Sequence, residues 1–409
     1  MKKLLIIGFV WPEPKSSAAG VRMMQLIDFF LSEGYQITFA SSSLKGDKSL
    51  NLASKGIQER RIELNNSSFD LFISKLNPTV VLFDRFMMEE QFGWRVAQQC
   101  PNALKILDTE DLHCLRKARE EAFKDTALLN RDYLFGKIAK REIASIYRSD
   151  LSLIISEAEM DLLKTSFEVP EALLCYLPLL IKNLTPNDIS NLPSFTERKH
   201  LITIGNFLHA PNLDSVIYLK NNIWPKLGAK LKNVELHVFG AYANDRAKQL
   251  ESKDNNFFIQ GFTPDVDKVM QNAKICLAPL RFGAGLKGKF FDAMKNGTPF
   301  ITTSIGAEGI LDLKQTYNFV TDDISGMIDY VVQLYNSEEL WASQQSLGFN
   351  ILSKKFNKSI HLAKLSDKLN QIIASMHEHR LSNFTGLMLQ HHAMQSTMYM
   401  SRWIEEKNK

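Results

Sequence analysis

The chain has 409 residues, of which 45% are hydrophobic and 23% are charged. These are the proportions of a globular protein, and the length is enough for two domains of ordinary size. The formal net charge of +4 is too small to indicate a nucleic-acid-binding protein. It suits a protein with an anionic substrate or a preference for a membrane surface. The four cysteines lack CxxC spacing, so we expect reduced packing residues of a cytoplasmic protein at Cys100, Cys114, Cys175 and Cys276.

The first twenty residues allow two interpretations. Two lysines, an apolar run over residues 4–10 and small residues at 17–19 are typical of a secretory signal peptide. The run is short, however, and Pro12 and Pro14 interrupt the passage to a cleavage site, so the pattern favours a buried strand that leads into a loop. The sequence has no apolar run of about 20 residues, the length that a transmembrane helix needs.

The first half of the chain alternates between predicted strands and predicted helices. Apolar runs predict buried strands at residues 4–9, 35–40, 79–83, 103–107, 151–155 and 173–177. Helices are predicted at residues 21–33 and 130–149, and after Ser156, with Glu159 completing a capping box. This order indicates a Rossmann-like sheet. Because the fingerprint G-x-G-x-x-G is absent, a dinucleotide-dependent dehydrogenase is the least expected function.

A polar segment with two prolines, residues 182–199, is predicted to be a linker. The alternation then resumes with predicted strands at residues 201–204, 234–239, 257–259, 275–280, 300–302 and 318–320, and the residues from 324 onward are largely helical by pattern. We therefore predict an α/β protein with two Rossmann-like, doubly wound domains. The first covers residues 1–181 and the second covers residues 200–378.

The segment over residues 275–310 is predicted to form a strand, a glycine-rich turn, a helix and a second strand. Glycines in this turn let the backbone bend sharply and approach a ligand closely. Lys287 and Lys289 fall in the first turn of the predicted helix, where cations oppose the helix dipole. They suit a site that holds a diphosphate, because the free N–H groups at the start of a helix attract anions. The alternative is that both lysines are solvated surface residues.

The sequence DAMKNGTP at residues 292–299 resembles the second half of the Glu-x7-Glu motif of the GT4 family of retaining GT-B glycosyltransferases. Asp292 takes the place of the second glutamate, and the resemblance implies that it binds the ribose hydroxyls of a nucleotide. The position of the first glutamate falls on Ala284. The loop is also similar to a subgroup that reads G-x-G-x-K-x-K, which implies that Lys287 and Lys289 replace the missing charge.

The resemblance implies a GT-B fold in which the second domain binds a nucleotide-sugar donor and the first binds the acceptor. It also implies that residues 379–409 pack back on the first domain, and that neither a metal nor a cofactor is needed. Lys287 and Lys289, with Arg281 as a further contributor, would neutralise the departing diphosphate. The expected donor-binding residues are Gly205, Asn206, Gly240, Phe262, Thr263, Gly283, Gly285, Asp292 and Glu308. Of these, Gly240, Phe262 and Thr263 are equally well explained as ordinary turn residues.

Ionisable side chains follow the predicted strand 103–107 at its carboxyl end, where α/β sheets place ligand groups. Asp111 and His113 are the candidate catalytic pair, and Asp108 and Glu110 are candidate acceptor-binding residues, since such groups orient a hydroxyl or relay its proton. Capping of the next helix is the equal alternative, and one histidine is a weak signal for zinc.

Two residues near the N-terminus are also expected to bind the acceptor. Gly20 stands where the family's acceptor loop carries a glycine pair. Arg22 is either a ligand for an acceptor phosphate or carboxylate or an exposed residue of the first helical turn.

Two surface features carry weaker expectations. A basic helical face suits docking on anionic lipid, although a solvated face is more common; its residues are Lys137, Lys140, Arg141 and Arg148. His391 and His392 on the C-terminal helix are expected to pack rather than to ligate a metal.

The resemblance thus implies a cytoplasmic glycosyltransferase of bacterial polysaccharide biosynthesis, located at the inner face of the membrane if the basic face docks there. Its partners are a nucleotide-diphosphate sugar and a glycan, lipid-linked or protein acceptor, with no nucleic acid. Front-face substitution assisted by the leaving diphosphate needs no protein nucleophile. The alternatives are a nucleotide-sugar epimerase or hydrolase on the same fold and, because of Ala284, a catalytically silent partner subunit.

Overall fold

Two parallel sheets form the framework of the protein, which is a computed structural model that describes residues 2–312 and 315–408. Within the described residues the first sheet has seven strands in the order β3-β2-β1-β4-β5-β6-β7, and the second has five in the order β10-β9-β8-β11-β12. The strands of the first sheet are β1 Lys3–Gly8, β2 Gln36–Ser41, β3 Gln58–Arg61, β4 Val80–Asp84, β5 Leu104–Asp108, β6 Leu151–Ile154 and β7 Leu174–Tyr176. Those of the second are β8 Lys199–Ile204, β9 Leu236–Phe239, β10 Phe257–Gly261, β11 Ala273–Ala278 and β12 Phe300–Thr302.

Helices connect the parallel strands. In the first domain they are α1 Ala18–Ser32, α2 Ser68–Leu76, α3 Phe86–Gln99, α4 His113–Lys124, α5 Arg131–Leu134, α6 Lys137–Arg148 and α7 Glu157–Thr165, and α8 Pro186–Ser190 lies between the sheets. In the second domain they are α9 Ala210–Tyr218, α10 Trp224–Lys230, α11 Asp245–Lys248, α12 Val266–Asn272, α13 Gly288–Lys295, α14 Ser304–Ala307, α15 Ile324–Asn336 and α16 Glu338–Lys355. The chain ends with α17 Lys358–Ala374, α18 Met376–Ser382 and α19 Phe384–Lys407.

The central strand β1 explains why the first sheet is covered on both faces. Leu4 and Ile6 belong to one hydrophobic cluster, and Leu5 and Ile7 belong to the cluster on the other face. A strand that is apolar at every position must be buried on both sides, as parallel sheets are. The prediction of a buried strand near the N-terminus is therefore confirmed.

Four local predictions differ from the structure. The sequence does not predict strand β3, because Gln58–Arg61 is a polar edge strand without an apolar run. Residues 318–320 contribute only an isolated bridge between Thr302 and Val320. The predicted helix over 130–149 is interrupted at Phe135 and Gly136, and the predicted linker contains the short helix α8.

The C-terminal helices cross from the second domain to the first. At the crossing, the backbone of Ile181 pairs with Phe356 and Lys358. The α17 side chains Leu365 and Leu369 then join the first-domain cluster that contains Leu4. Helix α17, which makes this crossing, lies within residues 200–378, the range that was assigned to the second domain.

Helices α18 and α19 are anchored on the first domain. Arg380 binds Asp150 and the carbonyl oxygens of Pro101 and Ala103, and α19 packs on α3 and α6. His391 and His392 are both exposed, so the expectation that they pack is wrong.

Three surface and composition findings complete the fold. All four cysteines are buried and unpaired, as expected. Two of the four basic residues on α6 are engaged in ion pairs, Arg141 with Glu90 and Arg148 with Glu89. Among the described helices, none is long and apolar enough to cross a bilayer.

Candidate active site

The glycine-rich turn between β11 and α13, residues 279–287, lies in the cleft between the two domains. Gly283 and Gly285 have positive φ angles of 146° and 64°, which side-chain-bearing residues rarely adopt. A methyl group on Gly285 would lie 2.7 Å from Cβ of Asp111 in the first domain. The backbone N–H of Gly285 donates to Glu159 at 2.8 Å, and the carbonyl of Gly283 accepts from Arg119 at 2.8 Å. This turn therefore rests directly on the first domain, and we call it the glycine loop.

Lys287 and Lys289 are held at the start of α13 by neutral oxygen atoms. The Nζ atom of Lys287 donates to the carbonyl of Gly285 at 2.9 Å, and that of Lys289 donates to Oδ1 of Asn212 at 3.0 Å. Burial lowers the pKa of each lysine to about 8. Both ammonium groups thus remain mostly charged at neutral pH, and a bound anion would stabilise them further. The alternative of solvated surface lysines is wrong for Lys289, which is buried.

Asp292 lies on α13 after the two lysines and is half-buried. Burial raises the pKa of its carboxyl to about 6, with Lys295 acting in the opposite direction. An acceptor-only carboxylate in such a place suits hydrogen-bond donors such as hydroxyl groups. The structure therefore leaves Asp292 chemically able to take the role that the resemblance implies.

The loop after β8 completes one wall of this site. The side chain of Asn212 packs against Gly205, where an added Cβ atom would lie 2.6 Å from Cγ of Asn212. The Nδ2 atom of Asn212 donates to the carbonyl of Asn206 at 3.0 Å. The Asn206 side chain is engaged within its own loop, accepting from the N–H of Leu208. Asn212, which also holds Lys289, was missed in the sequence because an asparagine in a helix carries no motif.

The loops after β9 and β10 lie side by side. The N–H of Gly240 donates to the carbonyl of Gly261 at 2.7 Å. The hydroxyl of Thr263 is engaged with the backbone of Asp265. Phe262 is 40% exposed and has Nζ of Lys48, from the first domain, 4.6 Å from its ring. Phe262 is therefore the member of this group with a face available for stacking.

Glu308 is tied to the first domain. Its carboxylate forms an ion pair with Arg119 of α4 at 2.7 Å. Because Arg119 also binds the carbonyl of Gly283, this one arginine connects both the glycine loop and the end of α14 to the first domain. Ala284, at the position of the missing glutamate, packs in a hydrophobic cluster of the first domain.

The first-domain residues near α1 are used for structure. Arg22 is 1% exposed and its guanidinium pairs with Asp108 at 2.7 Å and with the carbonyl of Leu177 at 2.6 Å. The alternative of an exposed first-turn residue is therefore wrong. Gly20 lies inside α1, where a Cβ would collide with the backbone of Glu13. Gly20 and Arg22 thus position α1 against its neighbours.

Buried carboxyl groups collect at the carboxyl ends of β4 and β5. Asp84 and Asp108 are partners in the strand register, and Glu110 follows with a positive φ of 62°. Burial and the neighbouring Asp108 raise the pKa of Glu110 to about 8. Arg85, with a positive φ of 70°, supplies positive charge beside Asp84. Asp84 and Arg85 were missed, although Asp84 ends β4 just as Asp108 ends β5.

His113 begins α4 between two carboxylates. Its Nδ1 atom lies 3.4 Å from Glu142 and 3.6 Å from Asp111. The N–H groups of His113 and Cys114 donate to Glu142 of α6, so it is Glu142 that caps this helix. Arg116 forms an ion pair with Asp111. Burial alone would raise the pKa of the Asp111 carboxyl, but the positive charge of Arg116 opposes this effect, and the pKa is lowered. Asp111 and His113 thus meet the glycine loop from the other side of the cleft.

A group with the spacing of metal ligands lies away from this cleft. Among the residues that the structure describes, it consists of His200, Glu235 and His237, at the amino-terminal edge of the second sheet. The backbone N–H of Glu235 donates to Nδ1 of His200. The proton of the neutral His200 ring is therefore on Nε2, the atom that faces the carboxylate of Glu235. The group is therefore explained as a hydrogen-bonded surface cluster.

Residues 198–337 match the family model described as Glycosyl transferases group 1. The match covers 140 of the 409 residues, about a third of the chain. The matched residues contain the glycine loop, both lysines and Asp292. A relative in Klebsiella pneumoniae, described as an uncharacterized 44.6 kDa protein in the cps region, is 22% identical over 173 residues, which is 35% of this chain and 44% of the relative. This match therefore spans less than half of the relative's length.

Solved structures show that this chain has the GT-B fold. Staphylococcus aureus TarM in a complex that includes UDP gives a TM-score of 0.67 at 14% identity, over 90% of this chain and 100% of that chain. Sucrose-phosphate synthase of Thermosynechococcus elongatus gives 0.69 at 12% identity, over 92% and 100%. Anabaena HepE in complex with UDP and glucose gives 0.65 at 12% identity, over 90% and 100%. The predicted fold class is confirmed.

Proposed function

We propose that this protein is a glycosyltransferase that moves a hexosyl group from a UDP-sugar to a hydroxyl of a glycan or lipid-linked acceptor in polysaccharide assembly, with retention and without a metal. The observation that carries the proposal is the pair of lysines at the start of α13, the half-buried Lys287 and the buried Lys289, each held by a neutral oxygen next to the glycine loop. TarM and HepE, which share the fold, are described in complex with UDP. The position of the Klebsiella relative in a cps region supports a polysaccharide acceptor.

The chemistry of the second domain is that of leaving-group stabilisation. Lys287, Lys289 and the N–H groups at the start of α13 would bind the diphosphate, and their charge would oppose the negative charge that develops as the glycosidic bond breaks. Asp292 would accept hydrogen bonds from the ribose hydroxyls. Phe262 would stack on the base.

The first domain would hold the acceptor. Asp111 and His113 lie across from the glycine loop, where an acceptor hydroxyl must approach the anomeric carbon. Front-face transfer passes the hydroxyl proton to the leaving diphosphate, so these side chains orient the hydroxyl rather than form a covalent bond. Glu110, whose carboxyl has a raised pKa, can donate as well as accept a hydrogen bond to this acceptor.

Isothermal titration with UDP, GDP and ADP, followed by an assay of UDP-hexose consumption with and without acceptor glycans, tests the proposal. We expect UDP to bind more tightly than the other two nucleotides, and consumption to require an acceptor. If no nucleotide binds, or if the donor is consumed equally without acceptor, the proposed transferase activity is wrong. The second result would instead indicate a hydrolase or an epimerase.

One observation favours a second candidate, the catalytically silent partner subunit. Ala284 offers a methyl group where the family motif has a carboxylate, and Glu308 is paired with Arg119. UDP binding without transfer to any acceptor of the polysaccharide would identify this second function. Transfer by the purified protein alone would exclude it.

A further inference from the structure

A buried carboxylate, Glu159, lies at the junction of the two halves of the site without belonging to either. It is the third residue of α7 and is 1% exposed. The capping box predicted for this helix is wrong, because Ser156 makes no side-chain capping bond. The carboxylate of Glu159 instead points away from its own helix. One oxygen, Oε1, accepts the N–H of Leu112 at 2.9 Å and the N–H of Gly285 at 2.8 Å.

These two N–H groups belong to the two opposing walls of the cleft. Leu112 stands between Asp111 and His113, and Gly285 stands at the middle of the glycine loop of the second domain. A single oxygen atom therefore links the segment that carries Asp111 and His113 to the glycine loop. Gly285 is in contact with Asp111 and leaves no room for a side chain or a water between them.

Burial makes this arrangement costly. Burial raises the pKa of the Glu159 carboxyl to about 8, and Asp111 adds to the effect, whereas Lys287 and the two backbone N–H groups oppose it. Its second oxygen, Oε2, has no hydrogen-bond partner. An apolar residue would avoid the burial of a carboxyl group, but it would leave the N–H groups of Leu112 and Gly285 without this acceptor. Features that cost stability locally are expected where they serve a function.

A second contact holds the outer side of the same loop. Arg119 binds the carbonyl of Gly283 and pairs with Glu308, and the two charged side chains are 16% and 17% exposed. Glu159 holds the same loop from a buried position, where water does not compete for its hydrogen bonds. The two contacts together fix the position of the glycine loop against the first domain.

We infer that Glu159 is a positioning residue that docks the glycine loop of the second domain onto the segment carrying Asp111 and His113, and thereby sets the geometry for transfer. The role rests on the proposed function. It is separate from donor binding, because the lysines and Asp292 all belong to the second domain. Misplacement of reacting groups by about 1 Å can cost on the order of 10²-fold in rate.

The test compares E159A, E159Q and D161A in the full-length protein. Asp161 lies on the same helix and is exposed, so D161A controls for changes in α7. We expect E159A to lower kcat by about 10²-fold and to leave the Kd for UDP within about twofold. Glutamine keeps an oxygen that accepts both N–H groups, so E159Q is expected to retain kcat within about threefold of the wild type, and D161A to be unchanged.

Amide hydrogen exchange, followed by mass spectrometry, tests the docking without any assay of activity. In E159A, peptides covering residues 109–114 and 281–287 should exchange faster than in the wild type, and in E159Q and D161A they should not. Unchanged exchange in E159A overturns the inference, as does a loss of UDP affinity equal to the loss of kcat. If exchange changes as expected but the wild type neither binds UDP nor transfers sugar, the docking stands and the proposed function fails.

Discussion

The two walls of the cleft use charge in opposite ways. In the second domain, Lys289 is a buried cation and Lys287 a half-buried one, and the hydrogen-bond partners of both are neutral oxygens. In the first domain, Arg22 pairs with Asp108 and Arg116 pairs with Asp111. Cations held by neutral oxygens retain their attraction for an anionic ligand, whereas paired charges are largely used to hold the fold. We therefore expect the wall formed by the second domain to bind an anion, and the paired arginines of the first domain to hold the fold.

Removing the charges of the second domain should have the largest effect on activity. We expect Lys289→Ala and Lys287→Ala each to lower kcat/KM by about 10²-fold or more, because each removes a preorganised positive charge from the diphosphate. Titration calorimetry with UDP and steady-state kinetics measure the effect. Lys295→Ala is the matched control, since Lys295 lies on the same helix and pairs with Asp267. Unchanged UDP affinity in the double variant would contradict the donor assignment.

Removing a paired charge of the first domain should change stability and not donor affinity. Arg22→Ala leaves Asp108 buried without its partner, so we expect a loss of about 3 kcal/mol in the free energy of unfolding. Urea denaturation measures this loss, and titration with UDP at a temperature where the variant is folded provides the comparison. A variant that keeps its stability but loses affinity for an acceptor would show that Arg22 is a ligand after all.

A smaller effect is expected from the imidazole of His113. The imidazole lies beside the carboxylates of Asp111 and Glu142. We expect His113→Ala to lower kcat by roughly tenfold, with the Kd for UDP unchanged, because the side chain orients the acceptor hydroxyl. Full activity of the variant in the acceptor assay would assign the residue to structure alone.

The pH dependence of donor binding reports on the unpaired lysines without any substitution. The pKa of each lysine is lowered to about 8 by burial, so both are charged below that pH and lose the charge above it. Affinity for UDP is therefore expected to be constant near pH 7 and to fall above pH 8, by at most about tenfold per pH unit for each lysine. Titrations between about pH 7 and about pH 9.5 measure the slope, which Lys289→Ala should make shallower. An affinity that rises with pH would refute the role of the lysines.

The architecture is largely predictable from the sequence, because buried parallel strands are continuous apolar runs. Every apolar run that was predicted as a strand of the first sheet is a strand. Strand β3 was not predicted, because it is polar and has no apolar run. Local patterns also located the glycine loop and its two lysines. A short motif of this kind is visible in the sequence, because positive φ angles favour glycine and a bound anion favours nearby positive charge.

Partners that are distant in the chain could not be predicted. Glu159 fits a local capping pattern, but its partner Gly285 is 126 residues away. Arg22 and Asp108 are 86 residues apart, and each was assigned to the acceptor on its own. Which polar residues bind each other and which are left for a ligand depends on how the strands are ordered, and single-sequence patterns carry no information about that order.

A crystal structure of the protein with UDP would show directly whether Lys287 and Lys289 hold the diphosphate. We expect the diphosphate oxygens within about 3 Å of the Nζ atoms of Lys287 and Lys289, which is the distance of a charge-assisted hydrogen bond. We also expect the ribose hydroxyls at Asp292. A nucleotide bound elsewhere on the second domain, with both lysines still bonded to Gly285 and Asn212 alone, would contradict the donor site described above.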